Sequence, residues 1–191
     1  MSRSAVIFDF DGTLTKPCLD FDLIRAEIGV TGPILEAMED LDLPSRERAE
    51  RILFRHEWEA ARNAVLQEDA VDVVAGCRTL GHPVAIMTRN ARPTVLHVLE
   101  KFGIVLDAIR TREDGAIKPS PEPVFSLCHE LDADPKLSWV VGDFLFDILS
   151  GQSAGTRTVL MIGDGERPGF ATQADHVIRS LRELVTLLEE R

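Results

Sequence analysis

The sequence is poor in cysteine and in positive charge and holds no long apolar run, and each shortage removes a class of protein. Cys18, Cys77 and Cys128 are odd in number, far apart and form no C-x-x-C pair, so neither a disulfide framework nor a zinc site is indicated and a cytoplasmic location is expected. No apolar stretch approaches the roughly 18 residues that span a bilayer, and the first residues run into a strand without a signal-peptide core, so a soluble, unprocessed protein is expected. The balance of 21 Lys and Arg against 32 Asp and Glu gives a formal charge of −11, which repels polyanions at long range; no nucleic-acid and no membrane partner is expected. A small anion stays compatible, because nearby basic residues dominate the field within a Debye length of about 8 Å. The 191 residues contain no internal repeat, and 45% hydrophobic content suffices for the core of one domain of ordinary size.

What is present is concentrated at the start. Val6-Ile7-Phe8-Asp9-Phe10-Asp11-Gly12-Thr13-Leu14-Thr15 is an apolar, β-branched run that ends in two carboxylates one residue apart. Ser4 to Phe8 has the composition of a buried parallel strand, so Asp9 and Asp11 emerge at its C-terminal end, where open α/β sheets place their ligands. A turn alone explains Asp11-Gly12. It does not explain Asp9, which is costly to desolvate unless a cation or hydrogen-bond donors meet it.

From about residue 68 onward, helical and strand-like stretches alternate as in a parallel sheet covered on both faces. Strands are expected at 83–87, 107–110, 137–141, 158–162 and 175–178, and helices at 69–80, 93–102, 121–131, 145–154 and 181–190, several of them closed by glycine. Residues 16–67 break the rhythm. They hold no convincing strand and read as helices at 21–28, 33–41 and 44–66, an insertion placed to cover the loop that carries Asp9. The expected division is therefore a core of 1–15 with 68–191 and a small helical cap of 16–67.

Polar groups fall at or just beyond the strand C-termini: Asp9 with Asp11, Thr88, Lys118, and Asp143 with Asp147. In a parallel sheet these ends share one edge, so residues remote in sequence converge. Several carboxylates meeting at one point need a compensating cation. An oxygen set of Asp9, the Asp11 main-chain carbonyl and Asp143 suits Mg²⁺, a hard ion that takes one or two protein carboxylates and keeps several waters. Lys118 supplies a further positive charge, with Pro119 restraining the backbone beside it. Singly, a Lys-Pro pair or a lone Thr is an ordinary surface feature.

As an ordered set, D-x-D-G-T-L-T, a Thr after an apolar strand, Lys-Pro and Gly-Asp-x-x-x-Asp resemble the four signature motifs of the haloacid dehalogenase-like hydrolases, and residues 142–155 are similar to the phosphoglycolate phosphatase-like subgroup. The resemblance implies a Rossmann-like, doubly wound parallel sheet with a small α-helical cap after the first strand. It also implies a Mg²⁺-dependent phosphatase that hydrolyses a small phosphomonoester. Asp9 becomes the nucleophile that forms an aspartyl-phosphate and Asp11 the general acid/base. Thr88 and Lys118 bind the phosphate, Asp9, Asp11 and Asp143 hold the metal, and Asp147 supports Lys118 or a metal-bound water; Arg89, next to Thr88, is a further phosphate candidate on its own chemistry, since a guanidinium grips an anion at two points. Members that dehalogenate carry an aromatic residue where Asp11 stands, so Asp11 favours phosphate chemistry.

The same motifs are shared by mutases resembling β-phosphoglucomutase, and an inert binding protein on this fold is a third reading; the cap here is shorter than is usual for the mutases, and the complete acid set argues against inertness. Two positions depart from the pattern: Phe144 follows Asp143 where a small polar residue is usual, and Arg89-Asn90 follow Thr88 where Asn-Lys is common. The expected partner is a small phosphorylated metabolite, for a monomer or homodimer. Among Lys16, Arg25, Arg46, Arg48 and His56, Lys16 lies nearest the site in sequence and is the substrate candidate.

Overall fold

The computed structural model describes residues 3–190. Its strands β1 (Val6–Phe8), β2 (Val84–Met87), β3 (Ala108–Arg110), β4 (Trp139–Gly142), β5 (Arg157–Met161) and β6 (His176–Ile178) form one six-stranded sheet in the order 3-2-1-4-5-6. Every pairing is parallel. β1 lies inside the sheet, pairing Val6, Ile7 and Phe8 with Val84, Ala85 and Ile86 on one side and with Trp139, Val140 and Val141 on the other. Those three β1 side chains have no solvent exposure, which is why the strand reads as an unbroken apolar run rather than an alternating one.

The helices are α1 (Phe21–Ile28), α2 (Ile34–Glu39), α3 (Leu43–Asn63), α4 (Ala70–Thr79), α5 (Arg92–Phe102), α6 (Glu122–Glu130), α7 (Leu145–Ala154) and α8 (Leu181–Glu189). Side chains of α4, α5 and α8 join Val6, Phe8, Ile86 and Val141 on one face of the sheet, and those of α6 and α7 join Ile7, Ala85, Met87 and Val140 on the other. The sheet is thus doubly wound, as the alternating pattern requires. α7 lies close against β4 and β5 because Gly151 has no side chain; a Cβ there would press on Val140 and Thr158.

Helices α1 to α3 occupy the segment between β1 and α4. Asp20 caps α1 by accepting from the Leu23 N–H at 2.9 Å, and Asp42 caps α3 by accepting from the Ser45 N–H at 2.8 Å. The three share a small apolar cluster of their own, in which Ile24, Ile34, Met38 and Leu53 meet. α3 stops at Asn63, short of the expected Leu66, because the chain turns extended there and Leu66 bridges to Thr15. Ala61 and Ala64, from the stretch assigned to the insertion, pack into the apolar cluster of the sheet. β4 begins two residues later than expected, since Pro135–Leu137 forms a 3-10 turn capped by Asp134.

In this strand order the connections from β1 and β4 run to opposite sides, leaving a crevice beyond their adjacent C-terminal ends. Asp9 and Asp143 sit there. Among the described residues no helix is long and apolar enough to cross a membrane.

Candidate active site

The Asp9 N–H still donates to the Val141 carbonyl at 2.7 Å, so the chain leaves the sheet only beyond this residue. It then turns tightly, with the N–H groups of Thr13, Leu14 and Thr15 converging on the Phe10 carbonyl at 3.3, 3.0 and 3.1 Å. Gly12 has φ of 91°, in the left-handed region that glycine tolerates. It also leaves room: a Cβ at Gly12 would collide with the Asp143 carboxylate, and one at Gly142 would collide with that of Asp147.

The acids meet as a consequence. One carboxylate oxygen from each of Asp9, Asp143 and Asp147 lies within 4.8 Å of the others. Lys118 reaches into the group, donating to Asp9 Oδ1 and, at 2.6 Å, to Asp147 Oδ1. The loop carrying it is held from two sides: Arg89 donates to the Lys118 carbonyl at 2.5 Å, and Ser150 Oγ donates to the Ser120 carbonyl at 2.6 Å. Asp147 Oδ2 accepts from the Phe144 N–H at 3.0 Å, which starts α7 and fixes the acid at once.

Burial pushes the Asp9 carboxyl above its usual range; Lys118 opposes this and Asp11 adds repulsion. Asp147 is pushed up to about 6, by burial first and against the pull of Lys118. Asp143 goes up to about 8, through burial and then the charges of Asp9 and Asp147. Burial alone would lower Lys118, but Asp147 and Asp9 outweigh it and hold the ammonium above its ordinary value. Three enclosed carboxylates thus face one ammonium. The donors are all oxygens, and the surplus is negative, which fits a hard divalent cation.

Asp11 stands beside this group with different company. Its Oδ2 accepts from Asn90 Nδ2 at 2.9 Å, and burial, opposed by Asn90 and helped by the charge of Glu57, pushes the carboxyl up to about 6. A carboxyl titrating there can both give and take a proton near neutrality. Asn90 is itself held, since its Oδ1 accepts from the Ala91 N–H at 2.7 Å and from Thr94 Oγ1 at 2.6 Å. Sequence reasoning missed it. The signal lay in an Asn just beyond the β2 tip, where the neighbouring β1 tip brings Asp11 alongside. Thr88 is buried at that tip, accepts from the Asn90 N–H at 3.1 Å and lines the cavity.

Two expected site residues are placed otherwise. Arg89 lines the cavity, but its guanidinium is engaged by Glu36 of α2, at 2.8 and 2.6 Å, and lies 5.0 Å from the Phe146 ring centroid. A planar fork of donors matches either a carboxylate or a phosphate, and here its partner is the Glu36 carboxylate of the protein itself. Lys16 is exposed and outside the cavity lining; its N–H donates to the Val65 carbonyl at 2.8 Å, and the side chain turns to solvent. Arg25 lines the cavity instead.

That cavity, about 530 Å³, lies between the strand tips and α1 to α3. Glu57 of α3 is 3% exposed on its wall and forms a two-point ion pair with Arg112, whose second nitrogen donates at 2.9 Å. Burial raises the Glu57 carboxyl and Arg112 pulls it back.

Comparison with known proteins agrees with this architecture. The sequence profile described as haloacid dehalogenase-like hydrolase matches residues 32–161. The pyrophosphatase PpaX of Bacillus pumilus is 33% identical over 63% of this chain and 58% of its own length. Among solved structures, a hydrolase from Pseudomonas syringae superposes with a TM-score of 0.83 at 17% identity, covering 98% of this chain and 99% of that one. A predicted phosphoglycolate phosphatase from Haemophilus somnus gives 0.77 at 19% identity, covering 98% of each. With its profile matched across most of its length and its fold shared, the chain belongs to the haloacid dehalogenase-like hydrolases.

Proposed function

We propose that the protein is a Mg²⁺-dependent phosphatase that hydrolyses a phosphomonoester through an aspartyl-phosphate on Asp9. The observation that carries this reading is the division between acids: Asp9 is gripped by Lys118 inside the carboxylate cluster, while Asp11 sits apart on Asn90 with a pKa of about 6. One acid is held for attack and the other for proton transfer. The phosphatase names of the two relatives support the same chemistry.

A carboxylate oxygen of Asp9 attacks the phosphorus as the ester P–O bond breaks, and Asp11, protonated, gives its proton to the departing alkoxide. Water then attacks the aspartyl-phosphate, losing its proton to Asp11, and the Asp9–P bond breaks to release phosphate. Lys118 stays charged throughout and, with Thr88, faces the phosphoryl oxygens. Asp9, Asp143 and the main-chain carbonyl of Asp11 would hold the Mg²⁺. When bound, the ion neutralises charge between Asp9 and the phosphoryl group.

The test is phosphate release from an aryl phosphate. Activity abolished by EDTA, restored by Mg²⁺ and lost in Asp9→Asn is the expected result. Full activity in the Asp9→Asn protein overturns the reading.

A further inference from the structure

We propose that the upper part of the cavity receives an apolar organic group, so that the substrate is the phosphomonoester of an aromatic or branched hydrocarbon alcohol rather than of a sugar. The proposal rests on the phosphatase reading above. It starts from a contrast within one cavity: the floor is polar and charged, but the walls above it are Leu19, Phe21, Ile34 and Leu53 from the insertion and Phe144 and Phe146 from the core.

The polar groups among these walls are already engaged. Both Glu57 oxygens are taken by Arg112, Arg89 is spread over Glu36 and the Lys118 carbonyl, and Arg25 donates to Asp22 at 2.6 Å. A site built for a polyhydroxylated substrate instead carries polar groups that only the substrate satisfies.

Nor is the space a gap beneath an undocked lid. The Glu36–Arg89 and Glu57–Arg112 pairs tie α2 and α3 to the core, and the cavity of about 530 Å³ persists with both pairs made. That volume accommodates a ring-sized group attached to a phosphate.

Phe144 supplies the most direct sign. It follows the acid Asp143 and is 53% exposed, yet it stands in an aromatic row, edge-on to Phe146 at 5.2 Å and to Phe170 at 6.0 Å. A large exposed apolar side chain at the rim of a catalytic cavity offers a ring face to whatever enters. The apolar walls above that floor offer a sugar acceptor few groups to bind, which favours hydrolysis over phosphoryl transfer to a sugar.

The experiment uses the Mg²⁺-loaded protein and two non-hydrolysable probes, benzylphosphonate and 2,3-dihydroxypropylphosphonate, with binding measured by calorimetry. The aromatic probe is expected to bind roughly 10- to 100-fold more tightly, as burial of one ring's apolar surface dictates. Turnover of benzyl phosphate and glycerol phosphate, esters of alcohols with comparable leaving ability, should show the same preference in kcat/KM. Phe144→Ser in the core and Phe21→Ser in the insertion, both lining the cavity and half exposed in the native chain, should each cut the preference by about fivefold or more. Equal or tighter binding of the dihydroxy probe, failure of both probes to bind, or a preference unmoved in both variants overturns the proposal. Asp9-dependent hydrolysis of the polyhydroxy ester at the higher rate overturns it while leaving the phosphatase reading intact. Preferential binding of the aromatic probe without Asp9-dependent turnover sustains the cavity assignment and removes the phosphatase.

Discussion

At the strand tips, Asp9, Asp147 and Lys118 are packed with almost no solvent, whereas α1 to α3 bring mainly apolar side chains to the same cavity and keep their charges outside or paired. The first arrangement is held by directional contacts, with Lys118 shared between Asp9 and Asp147 and Asn90 serving Asp11. The second is held to the core by surface area and two ion pairs. On the proposed reading, chemistry and selectivity are therefore carried by materials of different tolerance. Changing one atom at the tips should alter the reaction, while changing one side chain in the insertion should alter what is accepted or how firmly the roof is seated.

The sharpest way to break this contrast is Asp11→Asn, which keeps the shape and removes the proton. It should lower kcat by roughly 10²- to 10⁴-fold with little change in the binding of phosphate analogues, measured by steady-state kinetics beside calorimetry. A comparable loss of kcat from any apolar residue of the insertion would erase the distinction.

Next comes Glu57→Gln, which leaves Arg112 half-buried without its carboxylate. A loss of about 1 to 3 kcal/mol in denaturant unfolding is expected, together with easier proteolysis within 16–67. If α3 is seated by apolar contact alone, stability will not move.

Metal removal and pH probe the tips from another side. Asp11 and Asp147 at about 6 and Asp143 at about 8 all hold their protons more tightly in the folded chain than in the unfolded one. Their contribution to stability is fully present below the ordinary carboxylate range near 4 and is lost as pH rises through about 6 and then about 8. The EDTA-treated protein should accordingly melt several degrees higher at pH 5 than at pH 8. Saturating Mg²⁺, which binds the ionised acids, should flatten or reverse that slope. A melting temperature that rises with pH in EDTA would show that proton binding by these acids does not set the pH dependence of stability.

The smallest effect belongs to Glu36→Gln. Its carboxylate is partly exposed, so losing the Arg89 pair should cost no more than about 1 kcal/mol. Because Arg89 also holds the Lys118 carbonyl, KM for phosphate esters should shift by a few-fold, and an unchanged KM would show that the roof and Lys118 are independent.

Legibility in the sequence follows the same divide. The strand-tip residues were readable because an acid ending a buried run has few physical excuses, and several such runs in parallel share an edge. Glu57 was not readable: it sits in a helix dense with Arg and Glu that looks like a solvated face, and its burial depends on Arg112, 55 positions away. Arg89 likewise finds Glu36 at a separation of 53. Lys16 misled because nearness along the chain is not nearness in space; the Thr15–Leu66 bridge fixes the backbone so that the next side chain points outward. Phe144 was visible as an oddity, but its meaning needed the aromatic neighbours that only folding supplies.

Gly12 and Gly142 carry a consequence for any chain of this kind. Each is a vacant seat taken by an acid from another turn, Asp143 in one case and Asp147 in the other. A sequence can thus keep every aspartate and the lysine and still be dead, if a single methyl group has appeared at either position. Counting the acids is not enough to recognise a working centre; the two empty places beside them must be counted as well.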